Sequence, residues 1–144
     1  MSSDNDKRGF TLIELIVVIM ILGILATIAV PKFLKTSARA QDNATRSSLS
    51  VIRNAIELYT ADHNGELPGQ QGDLPGDLTE YIRGGFPVST AKDSSGVSYY
   101  SVDEAALTPD GSRNGWLYST ITGEFVVNSS EPLVSDDSLT YNQL

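Results

Sequence analysis

Between Phe10 and Pro31 the chain carries one ionisable side chain, Glu14. Its neighbours are Thr11, Leu12 and Ile13, and from Leu15 to Ala26 every residue is apolar or glycine. A carboxylate at the centre of a bilayer costs roughly 2.5–3.5 kcal/mol, and less near the bilayer face. Glutamate also suits the first turn of a helix, where the backbone N–H groups point outward. One reading is therefore an acid tolerated at an interface. The other is that Glu14 acquires a cation. No Lys or Arg lies between residues 10 and 31. A cut after Gly9 would give Phe10 a free α-amine with a pKa of about 8. That amine would sit four positions from Glu14, one helical turn away. It could pair within the chain or with Glu14 of a neighbouring subunit.

Other chemistry is thinly represented. His63 is the sole histidine, and there is no cysteine, so disulfides, thiol nucleophiles and cysteine-based metal sites are excluded. A solvated or capping role for His63 outweighs that of ligand or base. No G-x-S-x-G motif, P-loop or histidine-containing catalytic constellation is present, and an enzyme is not expected. After Pro31 the chain holds 15 acidic and 8 basic residues. A nucleic-acid partner is not expected of such a surface, because a phosphate-binding groove needs clustered cations. An acidic surface suits solubility outside a membrane.

The element that positions Glu14 is a long apolar helix. Residues 10–30, taken as a helix, cover roughly 32 Å, close to the hydrocarbon thickness of a bilayer. Lys7 and Arg8 precede the run and mark a cytoplasmic side, although Lys32 and Lys35 beyond it compete. A secretory signal would have a shorter apolar core ending in a small-residue cleavage site, which Pro31-Lys32-Phe33 is not.

Lys7-Arg8-Gly9-Phe10-Thr11-Leu12-Ile13-Glu14, followed by an apolar run to Pro31, resembles the class III signal of type IV pilins and type II secretion pseudopilins. The resemblance implies cleavage by prepilin peptidase between Gly9 and Phe10, and N-methylation of Phe10. It implies that Phe10 and Glu14 are assembly residues, Glu14 meeting the Phe10 amine of an adjacent subunit in a homo-oligomeric filament. The other implied partners are further pseudopilins, the inner-membrane assembly platform and the membrane itself. The implied location is a single-pass inner-membrane protein with a periplasmic C-terminal domain, later a periplasmic or extracellular filament. A short chain without cysteine leans towards a secretion pseudopilin. A type IV pilus subunit for adhesion, motility or DNA uptake is the alternative, as is a non-polymerising, membrane-anchored binding module.

Beyond the span, Pro31 is a candidate kink. From Lys32 to Asn64 there is neither Gly nor Pro. Leu34, Ala38, Thr45, Leu49, Ile52, Ile56 and Tyr59 recur at helical spacing, as one face does. Lys35, Arg39, Arg46 and Arg53 are assigned to the polar side together with Asp42 and Glu57. Asn64-Gly65 supplies a stop. The expected organisation is a leader at 1–9, a transmembrane and filament-core helix at 10–30, an amphipathic continuation at 31–64, and a small extracytoplasmic β-rich domain at 65–144.

In that domain a short helix is expected from Leu74 to Ile82. A strand is expected from Gly96 to Asp103, and a hairpin from Trp116 to Ser119 and Glu124 to Asn128, turning through Thr122-Gly123. Trp116 and Phe125 are candidates to pack on the helix near Ile52, Ile56 and Tyr59. The fold class is α+β: a long N-terminal α-helix on a small antiparallel sheet. "YTADHNGELPG" and "GWLYSTITGEF" resemble the globular part of some bacterial type II secretion pseudopilins. Major pseudopilins often bind calcium in a loop of this region. The acids Asp103, Glu104, Asp110, Asp136 and Asp137 are the candidates here, without EF-hand spacing. No other cofactor is expected. The tail from Ser129 is expected to be irregular.

Overall fold

A computed structural model describes residues 10–101 and 106–144. These fall into two compact units, one ending at Ser37 and the other running from Ala38 to Leu144.

Helix α1 (Leu12–Asp62, 51 residues) contributes to both units. It continues through Pro31 without a break in helical assignment. Its end is a left-handed cap. Asn64 adopts φ 56° and Gly65 φ 92°, and the Gly65 N–H returns to the Thr60 carbonyl at 2.8 Å. That bond satisfies an orphan carbonyl of the last turn, and the left-handed conformation is accessible to Asn and Gly at little cost. The Asn64-Gly65 stop thus operates as the sequence suggests.

In the first unit the large apolar residues of α1, from Leu12 to Val30, are exposed. This is the one helix of the described residues long and apolar enough to cross a membrane. In the second unit α1 buries Ala38, Asp42, Thr45, Leu49, Ile52, Ala55 and Ile56. The spacing is helical, but Asp42 belongs to the buried face, contrary to its assignment on the polar side. Leu34, expected on the same stripe, lies in the first unit and is exposed.

The second unit builds a three-stranded sheet from β1 (Val97–Tyr100), β2 (Trp116–Ser119) and β3 (Phe125–Val127), in that order. β2 and β3 form the expected antiparallel hairpin, with Trp116 opposite Val127 and Tyr118 opposite Phe125. β1 departs from the expected all-antiparallel sheet, because it pairs parallel to β2, Val97 with Trp116 through Tyr100 with Ser119. The physical reason is the connection. Residues 101–115 separate the two strands, and a segment of a dozen or more residues can cross over and re-enter in the same direction, as a tight turn cannot. Ser101 follows β1, and the last two residues of the expected strand, 102 and 103, lie outside the described residues.

Alternation along β2 divides the sheet's two faces. Trp116 and Tyr118 join Leu49, Ile52, Phe125 and Val127 in the main core, while Leu117 packs with Leu107 and Val126 on the other side. The Trp116 and Phe125 rings are 5.3 Å apart between centroids, and the Trp116 indole donates to the Pro87 carbonyl at 2.9 Å. Full burial of each such side chain contributes about 1.5–3 kcal/mol. Gly115, which leads into β2, sits against the Ser94 carbonyl and Ser89 Cβ, so any side chain there would collide.

Two expectations shrink. The helix expected from Leu74 to Ile82 is one turn, α2 (Leu74–Asp77). Gly76 is the weak point, and the backbone goes on through Leu78 to Ile82 in isolated turns. The tail is irregular as expected, apart from a bridge between Pro132 and Thr140 and a single 3-10 turn at Tyr141–Gln143.

Candidate assembly site

At the start of α1, Thr11 and Glu14 close on one another. The Thr11 N–H and hydroxyl both donate to Glu14 Oε2 at 2.8 Å. The Glu14 N–H donates to Thr11 Oγ1 at 3.3 Å. This is a reciprocal capping box, in which each side chain satisfies a backbone donor that the first turn leaves unpaired. Its signal in the sequence is T-x-x-E ahead of an apolar run, present as Thr11-Leu12-Ile13-Glu14, and it sets Thr11 beside Glu14, which with Phe10 is one of the two residues the family resemblance implies for assembly. Among the described residues Glu14 therefore has local partners, all of them neutral. Oε2 takes both bonds, and Oε1 takes none among the described residues.

Glu14 shares a shallow groove of about 390 Å³ with Phe10, Ile13, Val17 and Val18. Phe10 is 85% exposed. The groove brings the two residues singled out from the sequence onto one surface of one helical turn. Gly9, Lys7 and Arg8 lie outside the described residues. Chemically, the arrangement is a carboxylate held in place by its own helix start, with one oxygen unengaged by the described residues and apolar walls around it. Such walls lower the local dielectric and strengthen any cation contact made there.

Among the described residues the remaining candidates do not converge. Asp103 and Glu104 lie outside the described residues. Asp110 accepts from the Ser112 N–H at 2.9 Å and from Asn128 Nδ2 at 2.7 Å. Partial burial raises its pKa, but these bonds outweigh that and hold the carboxyl down to about 2. Asp136 is occupied by the Ser138 N–H and hydroxyl at 3.0 and 2.6 Å. Among the described residues no three His, Asp or Glu side chains gather as a metal site. His63 stacks on Tyr59 at 3.8 Å between ring centroids, and its Nδ1 lies 2.9 Å from the Tyr59 carbonyl.

Two charged residues of α1 have a structural role that their residue types do not announce. Asp42 is 2% exposed. It accepts from the Val134 and Ser135 N–H groups at 3.3 and 2.8 Å and from the Tyr141 hydroxyl at 2.8 Å. Burial raises its pKa, but these bonds from Ser135, Tyr141 and Val134 outweigh it, and the net shift is downward. Arg53 donates through Nε and Nη2 to the Phe125 carbonyl at 3.0 and 2.8 Å, and through Nη1 to the Leu144 carbonyl at 3.1 Å.

A long exposed apolar helix opened by a capped Glu, and continuing into a helix-on-sheet domain, describes the pilin-like class. The prokaryotic N-terminal methylation motif matches residues 4–30. The type II secretion system core protein G of Klebsiella pneumoniae is 30% identical over 121 residues, 73% of this chain and 86% of that protein. Its counterpart from Vibrio cholerae is 29% identical over 131 residues, 80% of this chain and 89% of that protein. The type IV major pilin protein PilA of Myxococcus xanthus is 36% identical over 87 residues, 59% of this chain and 38% of that pilin. No solved structure matches. The chain belongs to the prepilin-type family that includes the type II secretion system core protein G.

Proposed function

We propose that this chain is a structural subunit of a type II secretion pseudopilus. In this reading it enters the inner membrane as a single-pass protein with its C-terminal domain in the periplasm. Prepilin peptidase cuts between Gly9 and Phe10, Phe10 is N-methylated, and subunits polymerise with one another and with other pseudopilins at the assembly platform. The work is mechanical and calls for no catalytic residue or cofactor of its own.

The observation that carries the proposal is the placement of Glu14. It is the lone acid of the exposed apolar stretch before Pro31, oriented by Thr11, with Oε1 unengaged by the described residues in a groove that it shares with Phe10. Cleavage would create at Phe10 an amine with a pKa of about 8, mostly protonated at neutral pH. Its contact with Glu14 of the next subunit would match a charge to a charge in an apolar setting, and only in one register. The similarity to core protein G along most of that protein's length supports the secretion reading.

Mass spectrometry of the purified mature N-terminus tests it. A methylated Phe10 start is the expected result. An intact Met1, or a cut near Ala29, would overturn the proposal and favour a non-polymerising anchored module. The second reading, a type IV pilus subunit, draws on the likeness to the Myxococcus xanthus pilin and to a Pseudomonas aeruginosa fimbrial protein, 38% identical over 101 residues. Deleting the gene separates the two. Loss of protein export with pili intact supports the pseudopilus, and the converse supports the pilus.

A further inference from the structure

Residues 129–144 bond chiefly to themselves. The Tyr141 N–H donates to the Glu131 carbonyl at 3.1 Å, Asn142 to Ser129 at 3.0 Å, and Leu133 to Leu139 at 2.8 Å. Among the described residues, every hydrogen bond that leaves this segment ends on one of two α1 side chains. Asp42 receives Val134, Ser135 and Tyr141, and Arg53 reaches Leu144. The other fixings are chiefly apolar, Leu133 at 1% and Tyr141 at 4% exposure in the main core, with the Arg46 charge of α1 also acting on Asp136. A 16-residue loop closed on itself is a compact unit of the Ω type, and such units open independently when few bonds tie them to the rest.

We propose that residues 129–144 are a strap that opens and closes as one unit on α1, and that Asp42 fixes the register in which it closes. Apolar contact is non-directional, so Leu133 and Tyr141 alone would tolerate a slipped strap. A carboxylate does not. Its two oxygens serve two consecutive amide N–H groups and one hydroxyl. A slip of one residue would bring up the Leu133 or the Asp136 N–H, each already donating within the strap, and leave a buried charge short of a partner, which is strongly unfavourable. A buried polar group retained for such specificity is a known use of charge inside a fold. Arg53, eleven positions further along α1, clamps the far end and leaves the choice of register to Asp42.

Hydrogen exchange of the full-length chain in detergent micelles, read amide by amide, tests this. In the wild-type chain the Leu133, Ser135, Tyr141 and Asn142 amides should exchange at one common rate, faster than the β2 and β3 amides. Asp42→Asn keeps one acceptor oxygen but aims an NH2 group at strap donors. It should accelerate those four amides together by about tenfold, with the strands changed by less than about twofold. Tyr141→Phe removes one donor and keeps the apolar anchor, so the same four amides should accelerate together by about threefold. The proposal is overturned if strap exchange is unchanged in both variants, if the four amides respond at separate rates, or if the strands accelerate equally. Should Asp42→Asn fail to fold, Tyr141→Phe alone decides by the same criteria.

Discussion

Residues 12–30 and residues 38–62 belong to one helix, α1, yet they treat charge in opposite ways. The first stretch exposes its apolar side chains and keeps one carboxylate whose hydrogen-bond partners are neutral. The second buries its apolar face and draws a carboxylate and a guanidinium into contact with residues 72 to 99 positions away. In the second stretch, charge is completed inside the fold and specifies how the chain returns to its helix. In the first, charge is oriented but not matched by an opposite charge among the described residues, and the proposed subunit contact would complete it. Exposure of the apolar stretch 12–30 and a lone charge there that no described residue matches both suggest a surface that is covered in the working protein.

That contrast can be broken most sharply at Glu14. Glu14→Ala should insert in membranes normally and leave the domain's thermal unfolding unchanged, yet reduce filament yield by at least about tenfold, the worth of ~1.4 kcal/mol per contact. Electron microscopy of sheared filaments checks this, and wild-type assembly would end the pairing argument. The reciprocal test lies in the core. Trp116→Ala removes a fully buried side chain and should cost about 3–5 kcal/mol of domain stability by denaturant titration, while cleavage at Gly9/Phe10 proceeds as before. A smaller change sharpens the first half. Thr11→Val deletes the cap acceptor and should cost about 1 kcal/mol of local helix stability, seen as faster amide exchange at Glu14 and Leu15, with assembly weakened less than in Glu14→Ala. The smallest effect is in the loop before β2. Asp110, held down to about 2, has a folded pKa below its ordinary value of about 3.9. Its contribution is complete above pH ~4 and lost as the pH falls towards 2. Asp110→Asn should flatten that part of the acid-stability curve.

How much of the molecule is legible in its sequence depends on the range of each interaction. The helix from Leu12 to Asp62, its Asn64-Gly65 stop and the β2–β3 hairpin rest on local spacing and local turn chemistry, and the sequence carries both. The capping box at Thr11 and Glu14 is equally local, although the apolar run around it carries the stronger signal. The parallel entry of β1 is not legible. Its four residues are all partly buried, without the alternation that marks one face, and its partner lies across a long connection. Residue type alone puts Asp42 on the polar side. Nothing near it in the chain shows that two amides and a tyrosine from beyond residue 130 will surround it. At the candidate assembly site, spacing places Phe10 one helical turn from Glu14 and T-x-x-E signals the cap, whereas the pairing across subunits comes from the family resemblance.

The guanidinium on the Phe125 carbonyl has one more consequence. β3 is the outer strand of a three-stranded sheet, and an outer strand with open backbone groups is a template for edge-to-edge aggregation. Arg53 occupies that carbonyl from the helix side. Growth by sheet extension is opposed at that acceptor, because the guanidinium already fills the place a new strand's N–H would take.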